Sequence, residues 1–192
     1  MAIGLGHTYH AIRRNVNLTY ILMDNHVYGL TKGQTSPRSD WGFKTKTTPT
    51  GNIETPVATL EMALSAGASF VAQGFSTQLQ ELTDLIVAAV KHPGFSLVNV
   101  FSPCVTFNKV NTYDWFKERL VGIDSIEDYD RYDKGKVLQH ILEHEGLLTG
   151  LLYEDRKKRS YEEVSGLANN NQMQSVRKFT KAEFNKLVED FR

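Results

Sequence analysis

The chain has 192 residues and a formal net charge of zero, because Lys plus Arg and Asp plus Glu are equal at 22 each. That balance argues against a nucleic-acid or polyanion binder, which carries a basic excess. Apolar residues make up 41%, enough for a packed core, while the single cysteine, Cys104, excludes an internal disulfide and suits a reducing cytosol. No apolar run approaches the ~20 residues of a membrane span.

In chain order, residues 5–14 read as a helix, with Leu5, Tyr9 and Ile12 at helical spacing and Asn15 as its stop. Leu18 to Met23 is a short apolar run that reads as a buried parallel strand. A loop rich in Gly, Thr, Ser, Pro and Lys follows over about residues 25–55, and a loop this long inside a compact domain is often functional. Pro56 to Ala66 reads as a helix closed by Gly67, and Ser69 to Gln73 as a strand. Thr77 to His92 is an amphipathic helix with Ser76 or Thr77 as candidate caps, broken by Pro93-Gly94. Phe95 to Phe101 is a third strand, ended by Ser102-Pro103. Short helices are expected over 113–121 and 136–145, a strand over 149–153, then a polar tail. That tail holds a charge run at 154–159, the low-complexity Asn169-Asn170-Asn171, and a terminal helix over 180–192 carrying Phe184, Leu187, Val188 and Phe191. Alternating apolar strands and helices imply an α/β fold with a doubly wound, mostly parallel sheet. The expected division is a core over 1–125 and a polar helical extension over 126–192.

Ligands of open α/β sheets bind beyond the carboxyl ends of the strands. Two segments hold that position. In the first, Asp24 to Gln34, an amide at a strand end and a backbone carbonyl two residues later could offer hard oxygens to Mg²⁺, and Gly29 and Gly33 would admit a ligand close to the backbone. By spacing alone the commoner reading of Asn25 is a turn former. In the second, Ser102 to Asn108, Cys104 could be one ligand of a cluster completed elsewhere, although a lone cysteine is more often a small buried hydrophobe.

The run AIGLGHTYHAIRRNVNLTYILMDNHVYGLTKGQTSP (2–37) resembles the thiamine-diphosphate core of 2-oxoacid:ferredoxin oxidoreductase β subunits, and FSLVNVFSPCVTFNKVNTYDWFK (95–117) resembles their second signature. The likeness extends loosely over the chain and is nearest to the bacterial two-subunit 2-oxoglutarate type. It implies a thiamine-diphosphate-binding fold. It implies that Asn25 and the Val27 carbonyl ligate Mg²⁺, that Gly29 and Leu30 line the cofactor, and that Ile3 and Gly4 lie near its pyrophosphate. It implies that Cys104 is the fourth thiolate of a 4Fe–4S cluster. Lys32 matches a residue facing the substrate's distal carboxylate or CoA, and a solvated loop lysine is its other reading.

The implied activity is oxidative decarboxylation of a 2-oxoacid with CoA to acyl-CoA, CO₂ and reduced ferredoxin, in the cytoplasm, by a heterodimer with an α subunit, with no nucleic acid or membrane involved. In this family the activating carboxylate comes from the α subunit, so no catalytic residue is assigned here. His7, His10 and His26 are read as structural or solvated. The family's Gly-Asp-Gly and its other cluster cysteines do not occur, so Met1 is expected to be internal to a longer subunit and the polypeptide inactive alone. Two other readings stay open: a non-oxidative thiamine enzyme, which has no use for Cys104, and a non-catalytic interaction module.

Overall fold

The computed structural model describes residues 2–166 and 180–189. They fall into two compact units, 1–161 and 162–192. The first is built on a five-stranded sheet with strand order β1-β3-β2-β5-β4, its strands being β1 (Leu18–Asp24), β2 (Phe70–Phe75), β3 (Phe95–Phe101), β4 (Val121–Gly122) and β5 (Leu148–Glu154). β1 and β2 both run parallel to β3, while β5 runs antiparallel to β2 and parallel to β4.

Period-two alternation sends successive side chains of β2 and β3 to opposite faces, and both faces are covered. Val71, Phe95 and Leu97 pack with Ile12 of α1 (Leu5–Arg14), with Leu60 and Leu64 of α2 (Thr59–Ser65), and with Val137 and Ile141 of α5 (Lys134–Glu143). Phe70, Ala72, Val98 and Val100 pack on the other side against Leu85 and Ala89 of α3 (Leu79–Lys91). A smaller aromatic cluster of Phe75, Phe101 and Phe116, the last from α4 (Tyr113–Lys117), closes the carboxyl end of β2 and β3. The sheet is doubly wound and mostly parallel, as expected, with β5 as its antiparallel member.

Three expectations need correction. Among the described residues β1 is an edge strand rather than a buried one: it pairs there only with β3, and Met23 is 63% exposed. α3 covers β3 and β2 and reaches β1 through the Thr19 hydroxyl, which donates to the Ala89 carbonyl at 3.2 Å. The residue before α3 is Gln78, and no side chain caps that helix. The division expected after residue 125 falls inside the first unit, because β5 is hydrogen-bonded to β2 in the middle of the sheet.

The amino ends of the strands are fastened by Asn15, the left-handed residue that ends α1. Its Oδ1 accepts from the Ser69 hydroxyl at 2.6 Å and from the Phe95 amide at 3.0 Å, and its Nδ2 donates to the Arg159 carbonyl at 3.1 Å. This locks one pole and leaves the loops at the opposite pole free to build a site.

In the second unit are α6 (Tyr161–Val164), which begins at the boundary, and α7 (Lys181–Glu189). Thr180 and Glu183 form a reciprocal capping box at the start of α7: the Thr180 amide donates to Glu183 Oε2 at 2.8 Å and the Glu183 amide donates to Thr180 Oγ1 at 3.3 Å. The Asn169-Asn170-Asn171 run and Phe191 lie outside the described residues.

Candidate active site

Parallel pairing sets Asp24 of β1 opposite Phe101 of β3, and the Ser102 amide donates to the Asp24 carbonyl at 2.8 Å. The two strands therefore end level, and the segments after them meet. Asn25 makes a tight side-chain turn, its Oδ1 accepting from the Val27 amide at 3.2 Å. His26 sits in the left-handed region with φ 57°, and its carbonyl is held by the buried Ser39 hydroxyl at 2.7 Å. The chain then doubles back: the Tyr28 amide donates to Gln34 at 2.9 Å and the Gly33 amide donates to Tyr28 at 3.0 Å. Lys32, at φ 66°, and Gly33, at φ 95°, form the tip of this turn.

Cys104 reaches this turn directly. A Cβ placed on Gly29 would lie 3.6 Å from Cys104 Sγ and 3.9 Å from Asn25 Nδ2. The glycine thus leaves the sulfur, the amide and the turn's backbone facing one another with no side chain between. Gly33 packs as closely against Phe107, whose ring would stand 3.0 Å from a Cβ there.

An ionic cluster underlies the turn. Asp24, 3% exposed, accepts from Arg38 Nε at 2.8 Å, and Arg38 also donates to the Val57 carbonyl at 2.7 Å, so one guanidinium ties both ends of the long loop. The buried His26 ring lies 3.6 Å from Asp24 Oδ2 and 3.7 Å from Asp40 Oδ1, contacts that are ionic in range but longer than hydrogen bonds. His26 beside Asp40 holds that carboxyl below the ordinary carboxylate range, aided by the Asn111 amide and opposed by burial. Asn52 donates to the carbonyls of Ser39 and Glu54 at 2.9 and 3.0 Å and fixes the loop's middle.

The predicted residues divide clearly. Asn25, Val27, Gly29 and Cys104 come together. Leu30 is 99% exposed and Lys32 is also exposed, both on the turn that carries Gly29. Ile3 and Gly4 stand at the amino end of α1, roughly 15 Å along the helix from Asn15, and Gly4 has open space where a Cβ would be. His7 and His10 are exposed on α1, whereas His26 is buried. Asp24, Arg38, Asp40, Ser39, Asn52 and Asn111 support the site; of these, Arg38, Ser39, Asp40 and Asn52 lie outside the two runs that carry the family resemblance. Among the described residues, no three His, Cys, Asp or Glu side chains are grouped to hold a metal. The oxygens on offer are instead an amide and main-chain carbonyls, the hard donors that suit Mg²⁺ beside a phosphate-bearing ligand.

A cleft of about 310 Å³ opens elsewhere on the same unit, at the end of β2, lined by Phe75, Gln78, Glu81, Lys117, Asp124 and Thr149 among others. Burial pushes the Glu81 carboxyl above its ordinary range, opposed by the Thr149 hydroxyl. None of the residues around Asn25 or Cys104 lines it.

A strand-end turn carrying hard oxygens thus faces a cysteine from the adjacent strand end. The family described as "Thiamine pyrophosphate enzyme, C-terminal TPP binding domain" matches residues 1–100, and the family of the C-terminal region of the pyruvate ferredoxin oxidoreductase beta subunit matches residues 104–169. The chain belongs to the thiamine pyrophosphate enzyme family, in the branch of the 2-oxoacid:ferredoxin oxidoreductase β subunits. It is 44% identical over 130 residues to the 2-oxoacid:ferredoxin oxidoreductase subunit beta of a Sulfolobus species, covering 68% of this chain and 43% of that protein. It is 41% identical over 117 residues to the 2-oxoglutarate synthase subunit KorB of Archaeoglobus fulgidus, covering 61% and 44%. A solved structure, 2-oxoglutarate:ferredoxin oxidoreductase from Magnetococcus marinus with 2-oxoglutarate, coenzyme A and succinyl-CoA bound, superposes with a TM-score of 0.84 at 36% identity, covering 100% of this chain and 64% of that one. The chain thus spans less than half the length of these two curated relatives. No helix among the described residues is long and apolar enough to cross a membrane.

Proposed function

We propose that the chain supplies part of the thiamine-diphosphate site and one cluster thiolate of a cytoplasmic 2-oxoacid:ferredoxin oxidoreductase. With an α subunit, this enzyme converts a 2-oxoacid and CoA to acyl-CoA and CO₂ and reduces ferredoxin. The observation that carries this reading is the meeting of the Asn25–Gly29 turn with Cys104, two motifs far apart in sequence. The bound 2-oxoglutarate and succinyl-CoA of the Magnetococcus marinus enzyme support 2-oxoglutarate as the substrate.

Asn25 Oδ1 and the Val27 carbonyl would hold Mg²⁺. Among the described residues no hydrogen bond engages that carbonyl, and the Asn25 turn keeps the two oxygens on one loop. Thiamine diphosphate, when bound, supplies the carbanion chemistry of decarboxylation. Gly29 and Leu30 would line it, the glycine admitting close approach and the fully exposed leucine offering an apolar surface to cover it. Ile3 and Gly4 would sit toward the pyrophosphate end. Cys104 would give a 4Fe–4S cluster one of its four thiolates, the others coming from outside these 192 residues.

Lys32 projects from a left-handed backbone position that costs a non-glycine residue energy, and such strain is retained where the side chain is useful. Its ammonium would meet the distal carboxylate of a dicarboxylic 2-oxoacid or the incoming CoA. His26 is assigned no part in proton transfer; its buried ring lies beneath the turn, 3.6 Å from Asp24 and 3.7 Å from Asp40.

The test is 2-oxoglutarate- and CoA-dependent ferredoxin reduction by the full-length β subunit with its α partner. Asn25→Ala is expected to abolish it and to raise the Mg²⁺ requirement for thiamine diphosphate binding. Unchanged turnover in that variant would remove the basis for the metal assignment.

A further inference from the structure

The two loops that contribute separate parts of the site are joined by a run of polar side chains to which no site role was assigned. On the cysteine side, the Asn108 amide donates to the Cys104 carbonyl at 3.1 Å. Asn108 Oδ1 accepts from the amides of Val110 and Asn111, each at 2.9 Å, and Asn108 Nδ2 donates to Asn111 Oδ1 at 3.0 Å. Asn111, 1% exposed, then donates through Nδ2 to Asp40 Oδ2 at 2.8 Å. On the cofactor side, Asp40 Oδ1 lies 3.7 Å from the His26 ring, and the neighbouring Ser39 holds the His26 carbonyl.

The orientation of the Asn111 amide is determined. Turning it over would set its oxygen against the Asp40 carboxylate and its NH₂ against the NH₂ of Asn108, so it works only as donor to one and acceptor from the other. Hydrogen bonds therefore run from the Cys104 carbonyl through Asn108 and Asn111 to Asp40, whose carboxylate stands 3.7 Å from the ring of the residue between Asn25 and Val27.

We propose that the Asp40–Asn111 hydrogen bond is a positioning clasp that sets the Cys104 loop against the Asn25–Gly29 turn and so fixes the spacing between the thiamine site and the cluster. This rests on the assignment of those two loops in the proposed function. Neither residue touches the reacting atoms. The Phe107–Gly33 contact is the second, apolar fastening between the same loops.

The test uses the assembled complex with full-length β subunit. Asn111→Asp sets two carboxylates against each other and breaks the clasp while still accepting from Asn108. The exchange Asp40→Asn with Asn111→Asp rebuilds the bond with donor and acceptor reversed. Two readouts are followed: thiamine diphosphate affinity in the presence of Mg²⁺ by calorimetry, and the electron paramagnetic resonance spectrum of the dithionite-reduced cluster. Asn111→Asp is expected to weaken binding by about tenfold or more, the scale of one hydrogen bond to a charged group, and to alter the cluster spectrum. The exchange restores both.

The clasp is overturned if Asn111→Asp leaves both readouts at wild-type values, if only one of them moves, or if the exchange variant behaves like the single one. If Asn111→Asp does not assemble, Asn111→Ala removes the donor without adding charge, and its two readouts must still move together. A wild-type complex that binds no thiamine diphosphate or shows no cluster signal overturns the functional reading itself, and the clasp with it; the variant results separate the two failures.

Discussion

Arg38→Met removes the ionic foundation of the long loop. Arg38 binds Asp24 at 2.8 Å and the Val57 carbonyl at 2.7 Å, and without it the buried Asp24 carboxylate is left beside the His26 ring at 3.6 Å, longer than a hydrogen bond. Removing one partner of a fully buried ion pair costs about 3–5 kcal/mol. The Arg38 side chain is 26% exposed, so water enters part of the vacated space, and the expected loss falls to roughly 2–3 kcal/mol. Urea denaturation followed by circular dichroism measures it as a lower midpoint at constant slope. Asp24→Asn introduced into Arg38→Met removes the stranded charge and is expected to recover most of the loss, which separates charge from packing. A single variant within about 0.5 kcal/mol of wild type would refute the reasoning.

Gly33→Ala forces a side chain into φ 95° and against the Phe107 ring; a loss of about 1–2 kcal/mol from backbone strain lowers the melting temperature, and an unchanged melting curve would contradict it. His92 accepts or donates at 2.8 Å to the buried Ser69 hydroxyl, and burial, opposed by Glu154 and Asp155, holds its pKa below the ordinary 6.5. The unfolded chain then binds more protons in the interval just below 6.5. Stability should therefore rise with pH through that interval, level off above it and be lost on acidification. His92→Gln flattens this slope in denaturation midpoints taken at several pH values; an identical slope in both proteins would rule the mechanism out.

Much of the site's position was legible because Leu18–Asp24 and Phe95–Phe101 are apolar runs ended by turn residues, and parallel strands put both following loops at one pole. The edge status of β1 was not legible, since an apolar run reads the same with one neighbour or two. The antiparallel insertion of β5 depends on pairing with β2, about 80 residues earlier, and no local signal encodes that. The supporting network was also hidden. Asp40 and Asn111 are 71 residues apart, and buried polar pairs have no periodicity to read. Gln78 precedes α3 where Ser76 or Thr77 was expected, and no side-chain cap marks that start; Leu82 and Leu85 of the helix pack against Gly74 of β2.

Electron paramagnetic resonance of the reduced complex, comparing wild type with Cys104→Ser, bears most directly on the proposed coupling of a thiamine site to a cluster. The expected result is a 4Fe–4S signal in wild type that is reduced by 2-oxoglutarate, and loss or conversion of that cluster in Cys104→Ser while Mg²⁺-dependent thiamine diphosphate binding remains measurable. A wild-type complex without such a signal, or a Cys104→Ser complex with an unaltered one, would contradict the assignment of Cys104 and with it the oxidative reading of the site.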